Sequence, residues 1–327
     1  MKIFKKNILL IASFLVLIPA IAAAQKYDGF LSPFSNLKPI EQMEELQYPY
    51  QVHKIKIGSD TEIAYVDEGK GEQVIVLIHG LGSYLPAWKK NIEGLKSSYR
   101  VIAVDLPGYG KSSKQPHSGM MSYYAEVMKQ FADALNLKEI TLGGHSMGGQ
   151  IAMVAALNYP GLVKNLILVA PAGFEKFTEG QKQWFRNAMT FEGVKNTTPE
   201  DIQTNLAVNF YNMPKDAEFM ITDRIIMRDA EDFDHYVYAI VQSVNGMVDE
   251  PVLDLLTQIK QPALIIFGEK DNLIPNRFLN PGKTSKVAQV GKDKLPNSKL
   301  VMVPKAGHFV QFEKPEEVNK AIRAFIR

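Results

Sequence analysis

Gly144-His145-Ser146-Met147-Gly148 follows the apolar run Ile140 to Gly143 and precedes a stretch with small residues at Gly149, Ala152 and Ala155. A serine between glycines two before and two after it, at the junction of a strand and a helix, is the pattern of a sharp turn that forces the serine into a strained backbone conformation. Such a turn holds the hydroxyl above the sheet and at a helix N-terminus, where partial positive charge favours developing negative charge. Outward from this turn, strand-length apolar runs alternate with longer helical stretches, the pattern of a mostly parallel sheet with helices on both faces. The periodicity predicts an opening antiparallel pair at 52–57 and 62–66, then strands at 74–78, 100–104, 140–143, 166–169, 263–267 and 300–303. Helices are predicted at 87–95, 123–135, 147–158 and 315–326.

A serine nucleophile needs a base, and strand-turn-helix serine sites of this kind present serine, acid and histidine in that chain order. Only two histidines follow Ser146: His235 lies in a helical, aromatic-rich stretch, and His308 stands in Ala306-Gly307-His308-Phe309 just past the last strand. His308 is therefore the candidate base. His145 is expected to brace the turn, His235 to lie at the surface or pack within the helical stretch, and His53 and His117 to lie at the surface. Asp271 is the candidate acid because it follows the strand 263–267 through Gly268-Glu269-Lys270, at the strand's carboxyl end where open sheets place their ligands. Glu269 is the neighbouring alternative, and Asp249 or Asp254 would serve if the boundary of the helical stretch lay elsewhere. His79-Gly80-Leu81-Gly82 follows the strand 74–78 and offers a backbone N–H at Leu81, to be joined by the N–H of Met147, for an oxyanion hole. Each such donor is worth about 3 kcal/mol in a transition state.

With these motifs the chain resembles the α/β-hydrolase superfamily from about Val52 to Ile326. The resemblance also accounts for Asp105-Leu106-Pro107-Gly108-Tyr109-Gly110-Lys111-Ser112, which is similar to the family's structural D-x-P-G-x-G-x-S turn, so Asp105 is expected to bond local backbone. It implies a core at 51–172 and 257–327 and a helical cap or lid insertion at 173–256, too long for a crossover loop. It further implies a serine hydrolase acting on a small-molecule acyl compound, a carboxylic ester of short to medium chain, with no cofactor and no metal. Carbon–carbon bond hydrolases, lipases, aminopeptidases and acyltransferases of the same fold are the alternatives, since fold does not choose among them. In the insertion, Trp184, Phe185, Phe210 and Tyr211 are candidate substrate-pocket residues, with Met189, Phe191, Met213 and Phe219 beside them; more than half are expected to serve packing instead.

The N-terminus carries a separate signal. Lys2, Lys5 and Lys6 precede the apolar run Ile8 to Ile18, Pro19 breaks it, and Ala22-Ala23-Ala24 offers a cleavage site before Gln25. Residues 1–24 thus read as a secretory signal peptide, giving an exported protein, periplasmic or secreted; the alternative is an uncleaved membrane anchor. Residues 25–50 are expected to form an N-terminal extension packed as an arm. The leader holds three of the 37 basic residues and no acid, so what remains has 34 basic against 35 acidic residues and no basic stripe for nucleic acid. There is no cysteine, hence no disulfide framework, no thiolate metal site and no thiol nucleophile. A dinucleotide-binding protein is the rival from another class, because Gly80-Leu81-Gly82 lies between strand and helix with Asp105 about twenty residues on. Leu85 stands where that motif needs a third small residue, which argues against it.

Overall fold

The structure is a computed structural model that describes residues 36–326; the leader expected at 1–24 lies outside the described residues. Among the described residues eight strands form one sheet: β1 (His53–Ile57), β2 (Thr61–Glu68), β3 (Val74–Ile78), β4 (Arg100–Val104), β5 (Ile140–His145), β6 (Val163–Val169), β7 (Ala263–Gly268) and β8 (Ser298–Val303). Their order is β1-β2-β4-β3-β5-β6-β7-β8, with β1–β2 and β2–β4 antiparallel and the remaining pairs parallel. The chain thus leaves β3 to one side for β4 and returns on the other side for β5. That reversal opens a crevice at the carboxyl ends of β3 and β5, the adjacent strands that carry His79-Gly80-Leu81-Gly82 and Ser146.

Both faces of the sheet are covered, which is why the central strands are apolar without interruption. Val76, Ile78, Ile102, Val104, Leu142, Leu166, Leu168 and Ile265 face one core. It is shared with α2 (Met121–Ala134), α3 (Met147–Asn158) and α9 (Thr284–Lys294). Their chain neighbours Ile75, Leu77, Val101, Ala103, Ile167, Val169, Leu264 and Ile266 point into a second core with α1 (Lys89–Leu95), the single turn α10 (Val310–Glu313) and α11 (Pro315–Phe325). The period of two along each strand distributes these residues between the faces. Helix α1 is shorter than predicted because Leu85–Trp88 form a 3-10 turn ahead of it. Between β6 and β7 the chain builds five helices, α4 (Glu179–Ala188), α5 (Phe191–Lys195), α6 (Pro199–Ala207), α7 (Phe219–Ile226) and α8 (Phe233–Asp249). Thr178, Thr190 and Thr198 cap the first three, each side chain accepting from the N–H three residues on.

The described part of the N-terminal arm docks on the sheet and on this helical segment. Met43 and Leu46 are fully buried, and the Tyr48 hydroxyl donates to Asp105 Oδ2 at 2.7 Å. The Ile40 N–H donates to Ile226 O at 3.3 Å, and the Met43 N–H to Asp232 Oδ1 at 3.0 Å. Asp105 also accepts from Leu85 N at 2.7 Å and Lys111 N at 2.8 Å, so its carboxylate ties turn and arm together.

His117, expected at the surface, is half-buried. Its Nε2 donates to Pro107 O at 3.1 Å, its Nδ1 accepts from Gly119 N at 3.1 Å, and its ring stacks on Tyr123 with centroids 4.9 Å apart. Burial pushes its pKa down to about 4, because a proton on Nδ1 would place a desolvated charge there. A depressed base leaves the fold at full stability above the ordinary histidine pKa of 6.5 and costs stability as pH falls from there toward 4. This one ring should remove about 2 to 3 kcal/mol by pH 4. Thermal melts of the wild type and His117→Gln between pH 7 and 4 should therefore differ in slope, with the variant flatter; parallel curves would contradict the assignment.

Candidate active site

Ser146 sits at φ 54°, ψ −117°, between the last residue of β5 and the first of α3. A non-glycine residue in that region is strained and persists only where the surroundings impose it. Here the imposition is steric and hydrogen-bonded. A Cβ at Gly144 would lie 2.0 Å from Gly148 O, and one at Gly148 would lie 2.5 Å from Ile78 O, so both glycines are required by close backbone approach. The Ser146 N–H donates to Val169 O at 3.0 Å, fixing the turn to the neighbouring strand.

His308 lies in the loop after β8 and Asp271 in the loop after β7, both nearly inaccessible at 3% and 6% exposure. His308 Nδ1 is 2.8 Å from Asp271 Oδ2. The other carboxylate oxygen, Oδ1, accepts from Leu273 N at 2.8 Å and Ile274 N at 3.0 Å. These two N–H groups fix the carboxylate plane and thereby which oxygen meets the imidazole. With Nδ1–H donating to the acid, His308 Nε2 carries a lone pair. Of the alternative acids, Asp249 pairs with Arg186 and Asp254 with Lys176, whereas the carboxylate that meets His308 is Asp271.

Ser146, His308, Gly80, Leu81 and Gly82 line one cavity of about 520 Å³. Neither the Leu81 nor the Met147 N–H has an acceptor among the described residues, and Met147 opens α3, where the first N–H groups have no partner in the helix. Two further histidines frame this site. His145 Nε2 donates to the His308 carbonyl at 3.0 Å, which makes Nδ1 the unprotonated nitrogen; that atom is buried without a partner among the described residues. Burial first, and the adjacent His308 second, hold the His145 pKa well below the usual histidine value, so its ring is neutral beside His308. His79 Nδ1 donates to Gly80 O at 2.8 Å and its Nε2 accepts from Leu106 N at 3.1 Å, joining the Gly80 loop to the Asp105 turn.

The predicted pocket residues divide. Phe185 and Met189 line the cavity; Trp184, Phe210 and Tyr211 do not. Trp184 packs edge-on against Phe185, with centroids 5.5 Å apart. Phe210 is buried by stacking on Phe309 at 5.2 Å and meeting Phe312, while Tyr211 is 49% exposed. These last two belong to a strap, 208–212, that docks on the histidine and acid loops. Phe309 N donates to Asn209 O at 3.1 Å, and Asn272 Nδ2 to Val208 O at 3.1 Å. Glu313 accepts from Tyr211 N at 3.0 Å, Asn212 N at 2.7 Å and Gly307 N at 2.8 Å. A Cβ at Gly307 would lie 2.6 Å from Asn209 O, so the glycine beside His308 admits the strap. Glu313 is the positioning residue that the sequence does not disclose, since its three partners are backbone N–H groups.

Fold and site together define a hydrolase class, and comparison with known proteins agrees. Residues 73–315 match the family model described as alpha/beta hydrolase fold, and the chain belongs to that family. It is 31% identical over 261 residues to the dihydrolipoyllysine-residue acetyltransferase component of the acetoin cleaving system of Pseudomonas putida. That match covers 79% of this chain and spans only 65% of the relative's length. It is 28% identical over 293 residues to a 2-hydroxy-6-oxononadienedioate/2-hydroxy-6-oxononatrienedioate hydrolase of Burkholderia vietnamiensis, covering 84% of this chain and 94% of that one. Among solved structures it superposes on a thermophilic esterase from Thermogutta terrifontis with a TM-score of 0.68 and 26% identity, covering 85% and 98% of the two chains.

Proposed function

We propose that the protein is a serine hydrolase that cleaves a carboxylic ester of short to medium acyl chain through an acyl-enzyme. The observation that carries this reading is the buried His308–Asp271 pair, 2.8 Å apart, whose imidazole lines the same cavity as a serine at positive φ. Ser146 Oγ attacks the ester carbonyl while His308 Nε2 takes its proton, then returns it to the departing alcohol. Asp271 holds the Nδ1–H tautomer and stabilises the imidazolium. The N–H groups of Leu81 and Met147 receive the oxyanion, and water attacks the acyl-enzyme by the same route in reverse. The helical segment 173–256 acts as a cap that bounds the acyl pocket, through Phe185, Met189, Val244 and Met247 among others. Residues 1–24 are the leader of an exported chain, cleaved before Gln25; uncleaved, they would be its one attachment to a membrane.

A bounded cavity predicts a bounded substrate. Each buried methylene adds about 0.8 kcal/mol until the space is filled. Across p-nitrophenyl esters of increasing acyl length, kcat/KM should rise and then fall sharply, and Met189→Ala should move the peak to longer chains. A steady rise into emulsified long-chain lipid, with a jump at the oil–water interface, would overturn the cap's role. Because the Burkholderia relative is a 2-hydroxy-6-oxononadienedioate hydrolase, a compound of that kind belongs in the same panel. Faster turnover of it than of any ester would replace the ester reading with carbon–carbon bond hydrolysis.

A further inference from the structure

The cavity wall is charged in a way that ester hydrolysis alone does not require. Among the described residues five cationic side chains line it, Lys176, Lys182, Arg224, Arg228 and Arg277, against three acidic ones, Glu175, Glu179 and Asp254. Two of the acids are spent on the two lysines: Lys176 pairs with Asp254 at 3.1 Å and Lys182 with Glu179 at 2.7 Å. The third, Glu175, accepts from Asn276 N at 2.9 Å and Asn280 Nδ2 at 3.1 Å, and burial raises its pKa. Arg277 is exposed at the rim, bonded to Asn272 Oδ1.

Arg224 and Arg228 remain. They stand one turn apart, where α7 runs on into the 3-10 turn Met227–Asp229, so they share a face of it. Neither has a carboxylate within ion-pair distance among the described residues. Arg224 donates to Gly82 O in the oxyanion loop, and its guanidinium lies over the Tyr236 ring, 4.8 Å from the centroid. One hydrogen bond occupies one of its five donors. The Arg228 Nε is buried and has no hydrogen-bond partner among the described residues. Two half-buried guanidiniums on the wall of a reaction cavity, permanently charged and without counter-ions among the described residues, form a site of unmet demand for an oxyanion.

We infer that the substrate carries a second, anionic oxyacid group, a carboxylate or a phosphate-type group, which Arg224 and Arg228 receive while its ester lies at Ser146. The inference rests on the serine-hydrolase reading for the position of the ester, but not for the existence of the anion site. Arg224 links the two, since it reaches the anion and also the loop that offers the Leu81 N–H. A bound anion would then settle the oxyanion loop as the ester arrives.

The test compares kcat/KM for the p-nitrophenyl monoester of glutaric acid, for p-nitrophenyl valerate of equal chain length, and for an equally long acyl ester ending in a phosphonate. The charged esters should be preferred by about 10- to 100-fold, the worth of hydrogen bonds to a charged group. In Arg228→Gln that preference should collapse toward unity, with Arg228→Lys between the two. Because the readout is a ratio within one protein, partial unfolding of a variant does not imitate it. The larger of the two charged-ester ratios identifies the oxyacid. In parallel, calorimetry with glutarate and with inorganic phosphate on Ser146→Ala should show binding that Ser146→Ala/Arg228→Gln lacks. Anion binding without turnover of any ester would uphold the anion site and overturn the ester reading. A preference for valerate, or calorimetry showing neither glutarate nor phosphate bound, would overturn the inference.

Discussion

Ser146→Ala should lower kcat on the best ester by about 10⁶-fold, the size of loss seen when a serine that acts as one unit with its base is removed. The fold should stay intact, because alanine and serine meet nearly the same penalty at φ 54° and the turn is held by the Ser146 N–H on Val169 and by the glycine contacts on either side. Melting temperature and kcat measured on the same preparation separate the two effects. A stable Ser146→Ala protein with even a hundredth of the original turnover would mean that another group attacks the substrate.

Asp271→Asn should come next, lowering kcat by about 10⁴-fold with little change in KM. The introduced amide would keep its carbonyl oxygen where Leu273 N and Ile274 N now donate to Oδ1, since those two donors reject an amide NH₂. The NH₂ would then point at His308 Nδ1 and donate to it. An imidazole that accepts at Nδ1 bears its hydrogen on Nε2, and that nitrogen can no longer take the proton of Ser146. Turnover and melting temperature again need to be read together. Near-normal turnover in a stable variant would move the acid to Glu269, the neighbouring carboxylate in that loop.

The elements of the candidate site were legible because their residue types answer local constraints. Gly144 and Gly148 are where a Cβ would strike backbone within five residues or on the next strand, so the turn shows itself as a motif. Asp271 follows β7, whose apolar run is unbroken because both sheet faces are covered, and His308 follows the apolar end of the edge strand β8. The division of the helical segment was also available: Thr178-Glu179-Gly180-Gln181 is a capping box, and Thr198-Pro199 starts a helix.

What the sequence withholds is which face of an exposed helix or strap meets which loop. Phe210 and Tyr211 look like pocket aromatics, yet Phe210 is consumed by Phe309 about a hundred residues away and Tyr211 offers only its N–H to Glu313. Arg228 looks like any surface arginine until its Nε is found buried with no partner among the described residues. Helix α9 escapes prediction because its lysines, glutamine and aspartate are solvated and only Ala288 and its near neighbours pack inward. Long-range partners of this kind have no periodicity or spacing to announce them.

The most direct measurement on the central claim is covalent capture. A fluorophosphonate should phosphonylate Ser146, because an activated hydroxyl beside a base and an oxyanion hole displaces fluoride from phosphorus. Intact mass of the treated protein should show one adduct, and peptide mapping should place it on the peptide containing Gly144-His145-Ser146-Met147-Gly148. Ser146→Ala should remain unmodified, and His308→Gln should react far more slowly. An unmodified wild-type protein, or an adduct that persists in Ser146→Ala, would contradict the assignment of Ser146 as nucleophile.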